Sequence, residues 1–121
     1  MQKARSYEDL LVWQKAMDLA ESVYVLVRRL PKEELHVLSS QIKRAAVSVP
    51  SNIAEGQARS STKELINFLY IARGSNAELQ TQLFLCVRLG YFTDTEICEV
   101  LDLSREVGKM LNAFIASLKN K

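Results

Sequence analysis

Gln41–Ser61 reads QIKRAAVSVPSNIAEGQARSS. Ile42, Ala45, Ala46, Val49 and Ile53 fall on one side of a helix, and Gln41, Arg44, Ser48, Ser51, Asn52, Glu55 and Arg59 fall on the other. The stretch is therefore an amphipathic helix, although Pro50 stands inside it. An interior proline removes a backbone donor, crowds the preceding turn and costs about 3 kcal/mol. Because Ile53 keeps the apolar phase, the expectation is a helix that bends at Pro50 rather than ends there. The carbonyl of Ala46 loses its donor, and Ser48, Ser51 and Asn52 lie near enough to adjust the local bonding. The polar row admits three readings. It is a solvated helix face, a polar seam between helices or subunits in which Arg44, Glu55 and Arg59 pair, or a surface that contacts a ligand.

Working toward the N-terminus, Ser6 is a plausible cap for a first helix over Tyr7–Arg29, with Asp9 completing a capping-box variant. Leu10, Trp13, Met17, Ala20, Tyr24 and Val27 form a heptad-like seam. A second row, Val12, Ala16, Leu19, Val23, Leu26 and Leu30, runs beside it. Together they span an arc of roughly 200°, twice the usual stripe of a surface helix, so this helix is expected to bury more than one side. Pro31 ends it, and Lys32-Glu33-Glu34 opens the next segment with acids in the first turn. Leu35, Leu38 and Ile42 begin the second helix's apolar side, and Ser39 and Ser40 are candidate caps for a restart near Leu38.

Toward the C-terminus, Gly56 and the run through Ser60 end that helix. Ser61-Thr62-Lys63-Glu64 is a capping box for a third, whose seam is Leu65, Leu69, Ala72, Leu79, Leu83 and Cys86. Gly74, Ser75 and Ala77 thin its middle for a close neighbour, and Gly90 is its C-terminal cap. Thr93-Asp94-Thr95-Glu96 is the second capping box. Ile97, Val100, Val107, Leu111, Phe114 and Leu118 give the fourth helix its seam, with Lys119 and Lys121 complementing its dipole. No segment has the period-two pattern of a strand. The fold class is all-α, an antiparallel up-down-up-down four-helix bundle.

The 121 residues suit a single domain spanning 1–121. The net charge is +2 with both signs mixed, which excludes a strongly basic arm yet leaves room for a local basic patch. Cys86 and Cys98 make no disulfide framework. No signal-peptide core or membrane span is legible, so the expectation is a cytoplasmic protein with no membrane role. His36 is the only histidine, and no His, Cys and carboxylate cluster has metal spacing. The four glycines form no phosphate loop, and Ser60 and Ser61 have no evident base. The expectation is a chain with no cofactor, no metal and no catalytic residues, and not an enzyme.

Several phrases, taken in order, carry a resemblance. They are Leu11-Val12-Trp13-Gln14-Lys15-Ala16-Met17, Leu30-Pro31 with Glu34, and Gln41-Ile42-Lys43-Arg44-Ala45-Ala46. Ser48-Val49-Pro50-Ser51-Asn52-Ile53-Ala54-Glu55-Gly56, Phe68-Leu69-Tyr70-Ile71-Ala72-Arg73-Gly74-Ser75 and Glu78-Leu79 follow. Nearly the whole chain resembles the bacterial four helix bundle protein family, first noted in reading frames within intervening sequences of large-subunit ribosomal RNA genes. The last helix matches least distinctively. The resemblance implies a homopentamer, and a fold similar to the accessory variability proteins of diversity-generating retroelements, whose basic surface engages nucleic acid. On that analogy, Lys43, Arg44, Arg59, Lys63 and Arg73 are the candidate contacts to RNA or DNA. No aromatic residue is interleaved with them as a stacking platform. Asn52, Glu55 and Glu78 are candidates for a polar seam or for assembly, with Glu55 and Glu78 as possible partners of Arg44 and Arg73. The other expectation is a scaffold that binds another protein and no nucleic acid.

Overall fold

The structure is a computed structural model that describes residues 6–120. Lys121, read above as part of the last helix's charge complement, lies outside the described residues. The helices are α1 Leu11–Val27, α2 Leu38–Gln57, α3 Thr62–Arg88 and α4 Asp94–Lys119, and the described residues contain no strand. Each helix packs on its neighbours in chain order and α4 closes onto α1, while neither diagonal pair comes close. This is the antiparallel up-down-up-down bundle that the four apolar stripes predict. Its core holds Leu19, Ile42, Ile53, Leu69, Leu79, Leu83 and Leu111 with almost no exposed surface. Burial of each such side chain is worth about 1.5–3 kcal/mol.

The first helix departs from its expected outline. The Ser6 hydroxyl accepts from the backbone N–H of Glu8 at 3.2 Å, while the Asp9 N–H goes to the Ser6 carbonyl, and the residue caps only a short 3-10 helix, Tyr7–Asp9. Leu10 then turns extended (ψ 122°), and α1 begins after it without a side-chain cap. Gln14 spans this break, its side-chain amide donating to the carbonyl of Glu8 at 2.9 Å. The order of the two apolar rows is also reversed. Val12, Ala16, Leu19, Val23, Leu26 and Leu30 are buried, whereas Met17 and Tyr24 from the other row remain 37% and 40% exposed. Both rows have helical spacing, so periodicity alone does not choose which one faces the core.

The chain restarts where the serines hinted, but not by their capping. A 3-10 helix, Lys32–Glu34, leads into a turn that leaves Leu35 and Val37 exposed, and Val37 precedes α2 without a side-chain cap. Ser39 is buried in the first turn of α2. From Leu38 the helix runs unbroken past Pro50, whose ring is buried. Of the three side chains placed to adjust the bonding there, Asn52 bonds Ser48 rather than the Ala46 carbonyl. Its amide donates to the Ser48 carbonyl at 2.8 Å and to the Ser48 hydroxyl at 2.9 Å.

A tight approach between α2 and α3 falls at a glycine outside the predicted thin stretch. A Cβ on Gly56 would lie 2.7 Å from the Cβ of Phe68 and 3.1 Å from Leu65 Cδ1. Gly74 and Ala77 are exposed, and a Cβ on Gly74 would meet nothing within 4 Å. Only Ser75 of that trio faces α2, where its hydroxyl lies 2.8 Å from that of Ser48.

Terminal caps follow the sequence more closely. Thr93 and Glu96 form the full reciprocal box. Ser61 accepts from the Glu64 N–H, but Glu64 returns to the Ser61 hydroxyl rather than to its backbone. Gly90, at φ +80°, closes α3: its N–H bonds the Val87 carbonyl and the Tyr91 N–H bonds that of Cys86. This is the double bond pattern that a left-handed residue permits after a helix.

The two helical glycines therefore predict opposite outcomes for one substitution. Gly56→Ala forces α2 from α3 and destabilises by about 1–3 kcal/mol, as overpacking does. Gly74→Ala fills open space on an exposed helix face and stabilises by about 0.8–1 kcal/mol. Urea denaturation followed by circular dichroism measures both, and equal signs would refute this packing.

Candidate functional site

The five predicted cations do not converge on one patch. Lys43 and Arg44 stand near the start of α2 and border a hollow with Tyr24, His36 and Val47. Arg59 follows the end of α2, and the fifteen-residue interval from Arg44 is about 22 Å along a helix axis at 1.5 Å per residue. Lys63 lies in the exposed first turn of α3, near Arg59. Arg73 is farther along α3, on the side that faces α4, where its guanidinium donates to Asn112 Oδ1 of α4 at 3.2 Å.

Three of the five rest on aromatic rings. Lys43 Nζ lies 5.2 Å from the ring centre of Tyr24, the Arg59 guanidinium carbon 4.9 Å from that of Phe68, and the Arg73 guanidinium carbon 4.8 Å from that of Tyr70. A second cation, Lys119 from α4, stands 5.2 Å from the same Tyr70 ring. Such contacts contribute about 0.5–1 kcal/mol at exposed sites. Linear sequence conceals the Lys43–Tyr24 and Lys119–Tyr70 pairs, whose members come from different helices.

Ion pairing also differs from the expected pattern. Arg59 reaches Glu55 at 3.9 Å and Glu64 at 4.0 Å, so it carries two carboxylate neighbours. Arg44 and Arg73 pair with neither Glu55 nor Glu78 among the described residues. Arg73 faces an amide oxygen instead. Glu78 is exposed on α3, and among the described residues it makes no bond across a seam. The polar row of α2 thus divides. Ser48 and Asn52 form a seam that reaches Ser75 of α3, whereas Gln41, Arg44, Ser51 and Glu55 face outward.

A buried polar cluster that the seam pattern passed over sits between α3 and α4. Asn76 is 3% exposed, donates to the Ser104 carbonyl at 2.9 Å and accepts from its hydroxyl at 2.6 Å. Gln80 adds a donor to the same hydroxyl at 2.8 Å. Gly108 leaves room for the Asn76 amide, which would lie 3.3 Å from a Cβ there. Both residues fall in the gaps of the apolar seams, between Ala72 and Leu79 and between Val100 and Val107. A polar residue at a seam position was the available signal.

Titratable groups are perturbed at the other end of the bundle. Tyr91 donates to Glu34 at 2.6 Å, and that bond, with partial burial and the nearby negative charge, pushes its pKa up to about 12. Burial, aided by the Glu34 charge, pushes the Cys86 thiol up to about 11. Glu96 is held below the ordinary carboxylate range by the Thr93 backbone donor and by Arg29, against a smaller opposing effect of burial. Among the described residues, no group of three or more His, Cys, Asp and Glu is placed to hold a metal ion, and no helix is long and apolar enough to cross a membrane.

Fold and surface together define a small helical bundle whose recognisable features are aromatic-backed cations and open apolar hollows. Residues 8–113 match the family described as 23S rRNA-intervening sequence protein, and the chain belongs to that family. It is similar to the crystal structure of a protein of unknown function from the S23 ribosomal protein family of Bacteroides thetaiotaomicron VPI-5482. That similarity has 30% identity and a TM-score of 0.80, covering 87% of this chain and 98% of the other. No curated protein matches the chain.

The two thiols differ in access: Cys86 is fully buried and Cys98 is exposed. A thiol reagent at neutral pH should label Cys98 alone in the native protein and both residues after unfolding. Prompt labelling of both in the native state would contradict the burial of Cys86.

Proposed function

We propose that the chain is a non-enzymatic binding protein that works as a homo-oligomer and contacts RNA or other nucleic acid through its cations. The observation that carries this reading is an apolar hollow between α1 and α2, lined by Tyr7, Trp13, Met17, Ala20, Val47 and Pro50. Large apolar side chains left open on one face mark contact sites in soluble proteins. A second copy of the same chain is the proposed occupant. The wide apolar arc of α1 is explained if its outer row, with Trp13, Met17 and Tyr24, serves a neighbouring subunit, and the family resemblance favours five subunits. A cytoplasmic location accords with two free cysteines.

The dispersed cations fit an assembly better than a lone protomer. One subunit offers few positive charges on any face, but repetition around an assembly multiplies them, and phosphate affinity scales with the number of cations engaged. A protein–protein scaffold is the second reading. It is favoured by another hollow at the C-terminal end of α3, lined by Phe84, Leu85 and Val87, where Phe84 and Leu85 are exposed.

Multi-angle light scattering at micromolar concentration should give a multiple of the subunit mass, reduced by Met17→Glu with Val47→Glu. A wild-type mass of one subunit would refute assembly. Fluorescence anisotropy with structured RNA and duplex DNA should show binding that weakens as salt rises. Lys63→Gln is a cleaner test than any change at Arg59, whose loss strands Glu55 and Glu64. It should lower the log–log salt slope by about 0.7–0.9 if Lys63 makes one phosphate contact. Absence of salt-sensitive binding to either nucleic acid leaves the scaffold reading in its place.

A further inference from the structure

Charge is segregated along α3 and α4 in a way that composition hides. From Leu65 to Ala77, and again from Val107 to the end of the chain, there is no Asp or Glu. The antiparallel pairing sets these two acid-free stretches side by side, since Arg73 meets Asn112 and Lys119 meets Tyr70. Arg73 and Lys119 both lie over the Tyr70 ring, so their charges stand within about 10 Å of each other, the Debye length at 0.1 M salt. Neither has a carboxylate partner among the described residues. Two like charges held at one ring, with no ion-pair partner among the described residues, leave a positive field that an external anion can neutralise.

We propose that Arg73 and Lys119 form a binding site for backbone phosphate of nucleic acid, an assignment that rests on the nucleic-acid reading above. Asn112 accepts one guanidinium N–H and orients Arg73, leaving further N–H groups of the planar fork for phosphate oxygens. Lys119 adds a point charge. The Tyr70 ring holds both cations through its π face without cancelling their charge. Exposed Lys63 stands two helical turns before Tyr70 on α3, and Lys109 one turn before Asn112 on α4. Cations repeated along the α3–α4 flank suit a polyanion with regularly spaced charges better than an isolated carboxylate. The contacts are to phosphate, so the site positions a strand and does not read its bases.

Fluorescence anisotropy of labelled oligouridine at several salt concentrations tests the assignment on the full chain. Arg73→Gln with Lys119→Gln should weaken binding at low salt at least tenfold and lower the log–log salt slope by about 1.4, two phosphate contacts on a single strand. Arg73→Lys with Lys119→Arg keeps both charges and should retain most of the binding, which separates loss of charge from loss of fold. Arg28→Gln with Lys32→Gln, an equal change of charge at the other end of the bundle, should leave the slope unchanged. If wild type binds and the Arg73 and Lys119 neutral pair titrates like it, the site is wrong and the broader reading stands. Equal loss in the Arg28 and Lys32 pair would show net charge at work and also overturn the site. Displacement of oligouridine by polyglutamate at matched charge would overturn the phosphate assignment. Failure of wild type to bind oligouridine, RNA or DNA overturns both readings.

Discussion

The buried bond pair between Asn76 and Ser104 is the constraint on which the α3–α4 half of the structure depends. An amide in an apolar core costs free energy unless its hydrogen bonds are made, and here it both donates and accepts across the helix pair. Apolar side chains tolerate a shifted packing far better than a buried amide tolerates a lost partner. Sliding α4 by one turn would preserve an apolar stripe but separate Asn76 from Ser104. The pair therefore selects one register. That register sets Arg73 beside Asn112 and Lys119 beside Tyr70, and hence brings the two acid-free stretches together.

A different device governs α2 against α3. Gly56 allows the helices to approach until its own backbone meets Phe68 and Leu65, and the Ser48–Ser75 contact lies further along the same interface. Asn52 closes onto Ser48 beside Pro50 and joins the Ser48–Ser75 contact. One interface is thus set by a bonded amide and the other by backbone proximity. Between them they leave the outer faces of α1 and α3 to carry apolar surface and charge.

The sequence made the helix count, the bundle topology and the Thr93 and Gly90 ends legible, because stripes and caps are local patterns. It was less informative where two local patterns compete. The two rows of α1 are equally periodic, and only the volume available inside the bundle decides that Leu19 turns inward and Met17 outward. Ser6 looks like the cap of a long helix, yet the extended Leu10 interrupts it. The close-packed glycine was misplaced because Gly74 and Gly56 are equally small, and only the facing helix distinguishes them. For the candidate site, the cations were legible as residues but their surroundings were not. Arg59 gained two carboxylates and Arg73 gained none, and Lys119 joined Tyr70 from far along the chain. Asn76 and Ser104 were readable only as interruptions of apolar seams.

Charge segregation follows from that register and has an electrostatic consequence. At a net charge of +2 the molecule has little long-range attraction for a polyanion, so recognition must rest on local fields. The α3–α4 register is what brings Arg73 and Lys119 to one ring, and it is the claim to test first. A double-mutant cycle of Asn76→Ala, Ser104→Ala and the pair, by urea denaturation, measures its coupling directly. The predicted coupling is about 1–2 kcal/mol, within the range for directly bonded residues. Strict additivity of the two substitutions would contradict it and leave the register to apolar packing alone.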